Sequence, residues 1–361
     1  MNRLFSIFTG ATIFLSLALS GCNDALLGEN GQITFEDNTP NPGFDLMPQQ
    51  VDAPMAVGSR LRLTVGATGL KATDVTSDVP DTISIVSVEE VLSDDEEPIH
   101  TVVELKAHQT GSAKINVTTE LGETDRIEVN AEVPTQGTIS MFPWNASLPL
   151  AVNVLGGGIV LLPNSRITVH AQLRDLNDNE LTGFAAQEWV LESDGGSTIT
   201  PSEHSDFGTF SSGEQIGIST LRFGRFGATE LETIPADAVA RIEIVDGLTG
   251  VPLEGLQIGG DQDAPLFLHA ALYTQDGRYV AGIDGDPVTF ESTRNVQLGS
   301  LISAEGEMDA EADEPFRPYV QGRATDLKIL QAGTHRVTAT WKGLSVSAEF
   351  IVTELSASSA E

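Results

Sequence analysis

The sequence predicts an all-β protein: three tandem β-sandwiches behind a short apolar leader and a polar tether. Three observations carry the prediction. Beyond Gln50, apolar residues alternate with polar ones at period two, interrupted by Gly, Pro, Asn and Asp, and helical periodicity is almost absent. The alternation recurs at roughly hundred-residue intervals. The chain of 361 residues contains a single cysteine, so each unit must be held by its own hydrophobic core, and 40% apolar residues allow that.

The leader comes first. Met1-Asn2-Arg3 places one positive charge before Leu4 to Leu19, a run of Leu, Ile, Phe, Ala and small residues. At roughly 16 residues this run is shorter than the ~20 a spanning helix needs, and it ends in small residues as a cleavage site does. Leu19-Ser20-Gly21-Cys22 resembles a bacterial lipobox. The resemblance implies a signal peptide over residues 1–21, cleavage before Cys22, and acylation of its thiol and new amino group. Two or more acyl chains, at about 0.8 kcal/mol per buried CH₂, hold a protein stably on a membrane. Asn23 in place of Asp after the cysteine implies, by the sorting rule of that class, the outer membrane in preference to the inner. The competing reading is a secretory signal followed by a buried cysteine; its position, its flanks and the lack of any other cysteine argue against it.

Residues 22–50, rich in Asn, Gly, Pro and acids, read as an acylated N-terminus and flexible tether. The repeats follow. Leu61, Leu63 and Val65 superpose on Ile167, Val169 and Ala171 and on Leu266, Leu268 and Ala270. In the same gapless register Ile83 to Ser87 falls on Trp189 to Ser193 and on Val288 to Ser292. Between those strands LRDLNDNELTG and LYTQDGRYVAG read as hairpin-type connections ending on Gly183 and Gly282. Gly111, Gly227 and Gly333 each open a further alternating strand, with Ile115, Leu231 or Val337 four residues on. The resulting domains are 51–134, 135–245 and 246–354, followed by a tail over 355–361. The segment Arg241-Ile242-Glu243-Ile244 fits either the end of the second domain or the start of the third, so that boundary lies between Ala236 and Gly250.

GRATDLKILQAGTHRVTATWKGLSVSAEFIV, from Gly322 to Val352, resembles the closing half of a bacterial immunoglobulin-like domain of the group 2 kind. HAQLRDLNDNELTGFAAQEWVLES in the middle unit is similar to other parts of that pattern. The first unit departs by lacking the Trp, and the third by an acidic insertion from Ala304 to Pro315. The resemblance implies Ig-like sandwiches and no catalytic signature.

Charge and motifs bound the chemistry. With 52 acidic against 19 basic side chains the formal charge is −33, which disfavours nucleic acid as a partner and suits a solvated acidic surface that attracts cations. Asp175, Asn177 and Asn179 set oxygen ligands at alternate positions, a weak calcium candidate, but Glu180 and Ala186 stand where an EF-hand loop needs Gly and Glu. Turn chemistry is the competing reading. Asp261, Asp263, Asp284 and Asp286 are a second weak set; no other metal or cofactor is expected. Alternation turns His170 and His269 outward, away from any ligand cluster. No Gly-x-Ser-x-Gly or phosphate loop occurs, so no catalytic residues are assigned and the chain is read as a non-enzyme. Trp189 points inward, whereas Trp144 and Trp341 are weak candidates for contact with a sugar or protein.

These readings converge on an envelope-anchored lipoprotein, tied to the membrane through Cys22, that acts as spacer, adhesive or scaffold toward an unidentified protein or glycan. The alternative is a carbohydrate-binding or enzyme-associated accessory module.

Overall fold

The computed structural model describes residues 26–37, 53–66, 71–92, 98–141, 159–193, 195–202, 206–246, 251–261, 266–281, 288–292, 296–298, 324–329 and 332–356. Cys22 with the preceding Leu19-Ser20-Gly21, Trp144, Gly282, Asp263, Asp284, Asp286 and the acidic insertion lie outside them.

The chain is all-β, and one strand plan is used three times. The first unit comprises β1 (Leu26–Leu27), β2 (Thr34–Asp37), β3 (Met55–Ala56), β4 (Arg60–Val65), β5 (Ala72–Ser77), β6 (Ile83–Leu92), β7 (Pro98–Ala107), β8 (Gly111–Thr119) and β9 (Thr124–Glu132). Its sheets run β1-β2-β4-β7-β6 and β3-β9-β8-β5, and they enclose Phe35, Leu61, Leu63, Leu105, Ile115 and Val129.

The second unit comprises β10 (Gln136–Met141), β11 (Ile159–Leu161), β12 (Arg166–Arg174), β13 (Glu180–Leu181), β14 (Trp189–Ser193), β15 (Thr198–Pro201), β16 (Phe207–Ser211), β17 (Gly217–Phe223) and β18 (Gly227–Thr233). The third comprises β19 (Val239–Asp246), β20 (Gln257–Asp261), β21 (Leu266–Thr274), β22 (Tyr279–Ala281), β23 (Thr289–Ser292), β24 (Val296–Leu298), β25 (Ala324–Ile329), β26 (Gly333–Trp341) and β27 (Leu344–Ser356).

In every unit an opening strand pairs antiparallel with the next long one: β2 with β4, β10 with β12, β19 with β21. The chain then crosses to the other sheet and lays a short strand parallel to the closing strand: β3 on β9, β11 on β18, β20 on β27. With the remaining pairings this gives A-B-E-D facing A′-G-F-C, the immunoglobulin strand order with an added A′ strand. Period two explains the packing. In β9 Asp125, Ile127, Val129 and Ala131 are buried and the residues between them exposed; β26 buries His335, Val337, Ala339 and Trp341 in the same way. Full burial of a side chain the size of Phe35 or Phe350 contributes about 2–3 kcal/mol.

The structure corrects several sequence expectations. The stretch read as tether contains β1 and β2, and Ile33 and Phe35 are buried in the first core. An alternation only three residues deep, Ile33 to Phe35, was too short to stand out among polar neighbours. The strand over Arg241 to Ile244 opens the third unit, because β19 pairs with β21 and sends Ile242 and Ile244 into its core.

The repeats also realign. The glycine equivalent to Gly111 and Gly333 is Gly217, not Gly227: φ is 144°, 136° and 158° at the three, and each begins the penultimate strand. Four residues on stand Ile115, Leu221 and Val337, all buried. Gly227 instead begins the closing strand β18. Ile83 begins a D strand, β6, whereas Trp189 and Thr289 begin C strands, β14 and β23. The cause is the B–C connection, which spans only residues 66–71 in the first unit but carries a hairpin arm, β13 or β22, in the other two.

Candidate functional site

Among the described residues the most distinctive geometry lies where consecutive sandwiches meet, and it is built from those hairpin arms. After β12 the chain reverses through Asp175 to Asn179. Asp175 Oδ1 accepts the backbone N–H of Asn177 at 2.8 Å and of Asn179 at 2.9 Å, and Oδ2 accepts from Asn179 Nδ2 at 2.9 Å. The Asn179 side chain first, then these backbone donors, hold the Asp175 carboxyl below its ordinary range. The turn returns β13 against β12 with Leu173 opposite Leu181. In the third unit Thr274 and Asp276 bond to each other, Thr274 Oγ1 accepts from the Arg278 N–H at 3.0 Å, and Tyr279 is brought opposite Tyr273.

The arm from β13 reaches the first sandwich. Thr182 lies parallel to Met55, its N–H donating to the Pro54 carbonyl at 2.8 Å and its carbonyl accepting from Ala56 N–H at 2.9 Å. Phe184 and Arg60 then exchange both backbone bonds at 2.8 Å. Gly183 has φ of 99°, and a Cβ there would lie 2.3 Å from Ser59 Oγ and 2.7 Å from the Arg60 carbonyl, so only glycine fits. One residue past this bridge, Ala185 N–H donates to Asp206 Oδ1 at 3.1 Å. Burial pushes the Asp206 carboxyl up to about 8, against the smaller opposing effect of that bond.

The arm from β22 goes further. It runs parallel to β11, pairing Tyr279, Val280 and Ala281 with Ile159, Val160 and Leu161, so one continuous sheet of nine strands crosses from the second unit to the third. Side chains interchange. Val160 and Leu162 enter the third core, while Val245, Ala271, Tyr279 and Ala281 enter the second. Arg278 pairs with Glu232 of β18 across the boundary.

The sequence-predicted residues fall as follows. Trp341 is 2% exposed inside the third core, which corrects its assignment as a surface contact: it occupies the inward register of β26. His269, expected outward, is 4% exposed and bonds Tyr279 Oη at 3.2 Å, because both faces of that part of the sheet are covered. His170 is half-buried and stacked on Phe207 with centroids 4.4 Å apart, and burial lowers its imidazole to about 4. Trp189 packs at 4.8 Å from Phe223 on the second core. Asp175, Asn177 and Asn179 do lie together, but the Asp175 oxygens face N–H donors, a set that does not fit a cation. Among the described residues no group of three or more His, Cys, Asp or Glu side chains converges.

Sequence reasoning missed Asp125. It is 3% exposed and accepts backbone N–H bonds from Asn30, Gln32, Ile33 and Arg126 at 2.7–3.0 Å. Desolvation raises its pKa, but those donors outweigh it and keep the carboxyl below its ordinary range. The signal was present: in TDRIEVNAE the carboxylate takes an inward register position, where only a fully bonded charge can sit. Glu29 beside it pairs with Lys114 at 2.8 Å and Arg126 at 2.6 Å.

No protein-family model and no curated protein sequence matches the chain. Several solved structures do. Domains 5–6 of the S-layer protein SbsC align at 14% identity over 52% of this chain and 95% of that one, with a TM-score of 0.24. Invasin, a bacterial integrin-binding protein, aligns at 12% identity over 83% of this chain and 58% of its own, with a TM-score of 0.23. An endo-fucoidan hydrolase of glycoside hydrolase family 107 aligns at 12% identity over 85% of this chain and 43% of its own, with a TM-score of 0.24. The chain thus spans less than two thirds of the latter two, and at such TM-scores these likenesses carry no argument.

Proposed function

We propose that the protein is a non-catalytic spacer or scaffold of a bacterial cell envelope, tied to a membrane through lipid on Cys22. The observation that carries the scaffold reading is the repeated junction: each sandwich is joined to the next by backbone pairing between a hairpin arm and an A′ strand. Peptide hydrogen bonds across a boundary fix distance and orientation, which a spacer requires and a free linker does not supply. The anchor reading rests on Leu19-Ser20-Gly21-Cys22 behind its apolar leader. The formal charge of −33 favours staying clear of anionic lipid headgroups.

The test is mass spectrometry of the N-terminal peptide from native bacterial material, together with fractionation of a Cys22→Ser variant. Acyl mass on Cys22 and release of the variant from membranes are expected. An unmodified thiol, or a variant that stays membrane-bound, overturns the anchor. The accessory-module alternative is supported if Trp144→Ala lowers retention on polysaccharide columns; Trp341, being buried, is not available for that role.

A further inference from the structure

The three A′ strands are not in the same situation. Strand ladders fix the equivalence: Met55 opposes Ala131, which opposes Gly111; Ile258 opposes Val352, which opposes Gly333. In the second unit Leu161 opposes Thr233, which opposes Gly217. Met55, Leu161 and Ile258 are therefore the same position. The outer side of the first is covered by Thr182 and that of the second by Ala281, each from the hairpin arm of the following unit and each in parallel. Among the described residues β20 pairs with β27 alone and is the end strand of its sheet.

The free groups can be named. In the first unit the outward pair is the Pro54 carbonyl and the Ala56 N–H, which hold Thr182. The equivalent residues in the third are Gln257 and Gly259. Ile351 N–H donates to the Leu256 carbonyl, so the alternation of a parallel ladder turns Gln257 and Gly259 away from β27. Gln257 is exposed, and a register shift past Ile258 confines the open edge to about the length that Thr182 uses.

We propose that this edge of β20 is a docking site for the B–C hairpin arm of a further β-sandwich, added in parallel as β22 adds to β11. A second copy of this chain does not fit as the donor. Its two arms are already engaged on its own A′ strands, and in the first unit residues 66–71 between β4 and β5 are too few to form a comparable arm. The donor is thus a β-sandwich module other than these three, carrying an apolar-x-Gly arm like Leu181-Thr182-Gly183. The inference rests on strand register and not on the lipid anchor, so either can fail without the other.

The experiment uses the full chain and a fluorescein-labelled cyclic peptide copying residues 272–282, followed by fluorescence anisotropy. A second peptide is N-methylated at the position of Ala281, which removes the N–H equivalent to that of Thr182. Saturable binding by the first peptide is expected, weakened at least tenfold by the N-methyl group and by Gly259→Pro, which removes the matching donor of the protein. Circular dichroism melts of Gly259→Pro check that its fold is retained, while the N-methyl comparison needs no altered protein. No binding of the first peptide, equal binding of the N-methylated one, or undiminished binding to a folded Gly259→Pro variant overturns the proposal; the last outcome would mean invasion at β11.

Discussion

The two junctions use the same pair of elements and reach different degrees of union. Between the first and second units the arm contributes two isolated bridges, and among the described residues only Ala56 crosses into the neighbouring core. Between the second and third, three consecutive residues pair and at least six side chains change sides. The difference arises from how long the arm stays extended. Gly183 and Ala185, at φ of 99° and 57°, turn the first arm away, whereas β22 keeps its strand geometry through Ala281. The shared sheet is expected to make the second and third sandwiches melt as one, and the pair of bridges to leave the first separable.

The sharpest way to break this contrast is Tyr279→Ala. Tyr279 is 5% exposed in the second core although it belongs to the third unit. Removing so large a buried side chain costs about 3–5 kcal/mol. Calorimetry should show the second and third units losing stability together while the first keeps its transition. A destabilisation confined to the third unit would show that the cores are not shared.

Gly183→Ala attacks the weaker junction. Its Cβ would strike Ser59 and Arg60 at a φ that alanine resists, for roughly 1–3 kcal/mol. The expected result is faster proteolysis over residues 133–135 with unchanged melting of the third unit.

The smallest effect per step is a pH dependence at Asp206. Its carboxyl has a folded pKa of about 8 against an ordinary 3.8, so the folded state binds the extra proton. The associated stability is complete below pH 3.8 and is lost as pH rises through 8, at up to about 1.4 kcal/mol per unit in between. Asp206→Asn should flatten that slope, read as the melting temperature between pH 6 and 9. Hydrogen exchange at Ala185 should follow the same trend if the loss is felt at the junction.

Much of the sandwich plan was legible in the sequence because period-two strands such as RIEVNAE and THRVTATW are long enough to average out noise. What escaped were features set by pairing across long separations. Ile33 to Phe35 looked like tether until β4 was beside it. Trp341 looked like a strand end open to solvent, and His269 like an outward residue, because alternation assigns a face but not what covers that face. The arms were visible as Asn- and Gly-rich connections, and their turn chemistry was correctly read; that they reach into a neighbouring sandwich was not encoded in any local pattern.

Asp125 bears on how the molecule would carry tension. A pull arriving from the N-terminal side reaches Leu26 to Ile33 before any buried strand, and there it meets one carboxylate gripping three amides of that segment, those of Asn30, Gln32 and Ile33. Strain would concentrate on this clasp and the Glu29 ion pairs, sparing the hydrophobic interior until they yield. Acid would slacken the clasp by protonating it, so the force needed to peel the first strand away should drop at low pH well before the sandwich itself gives.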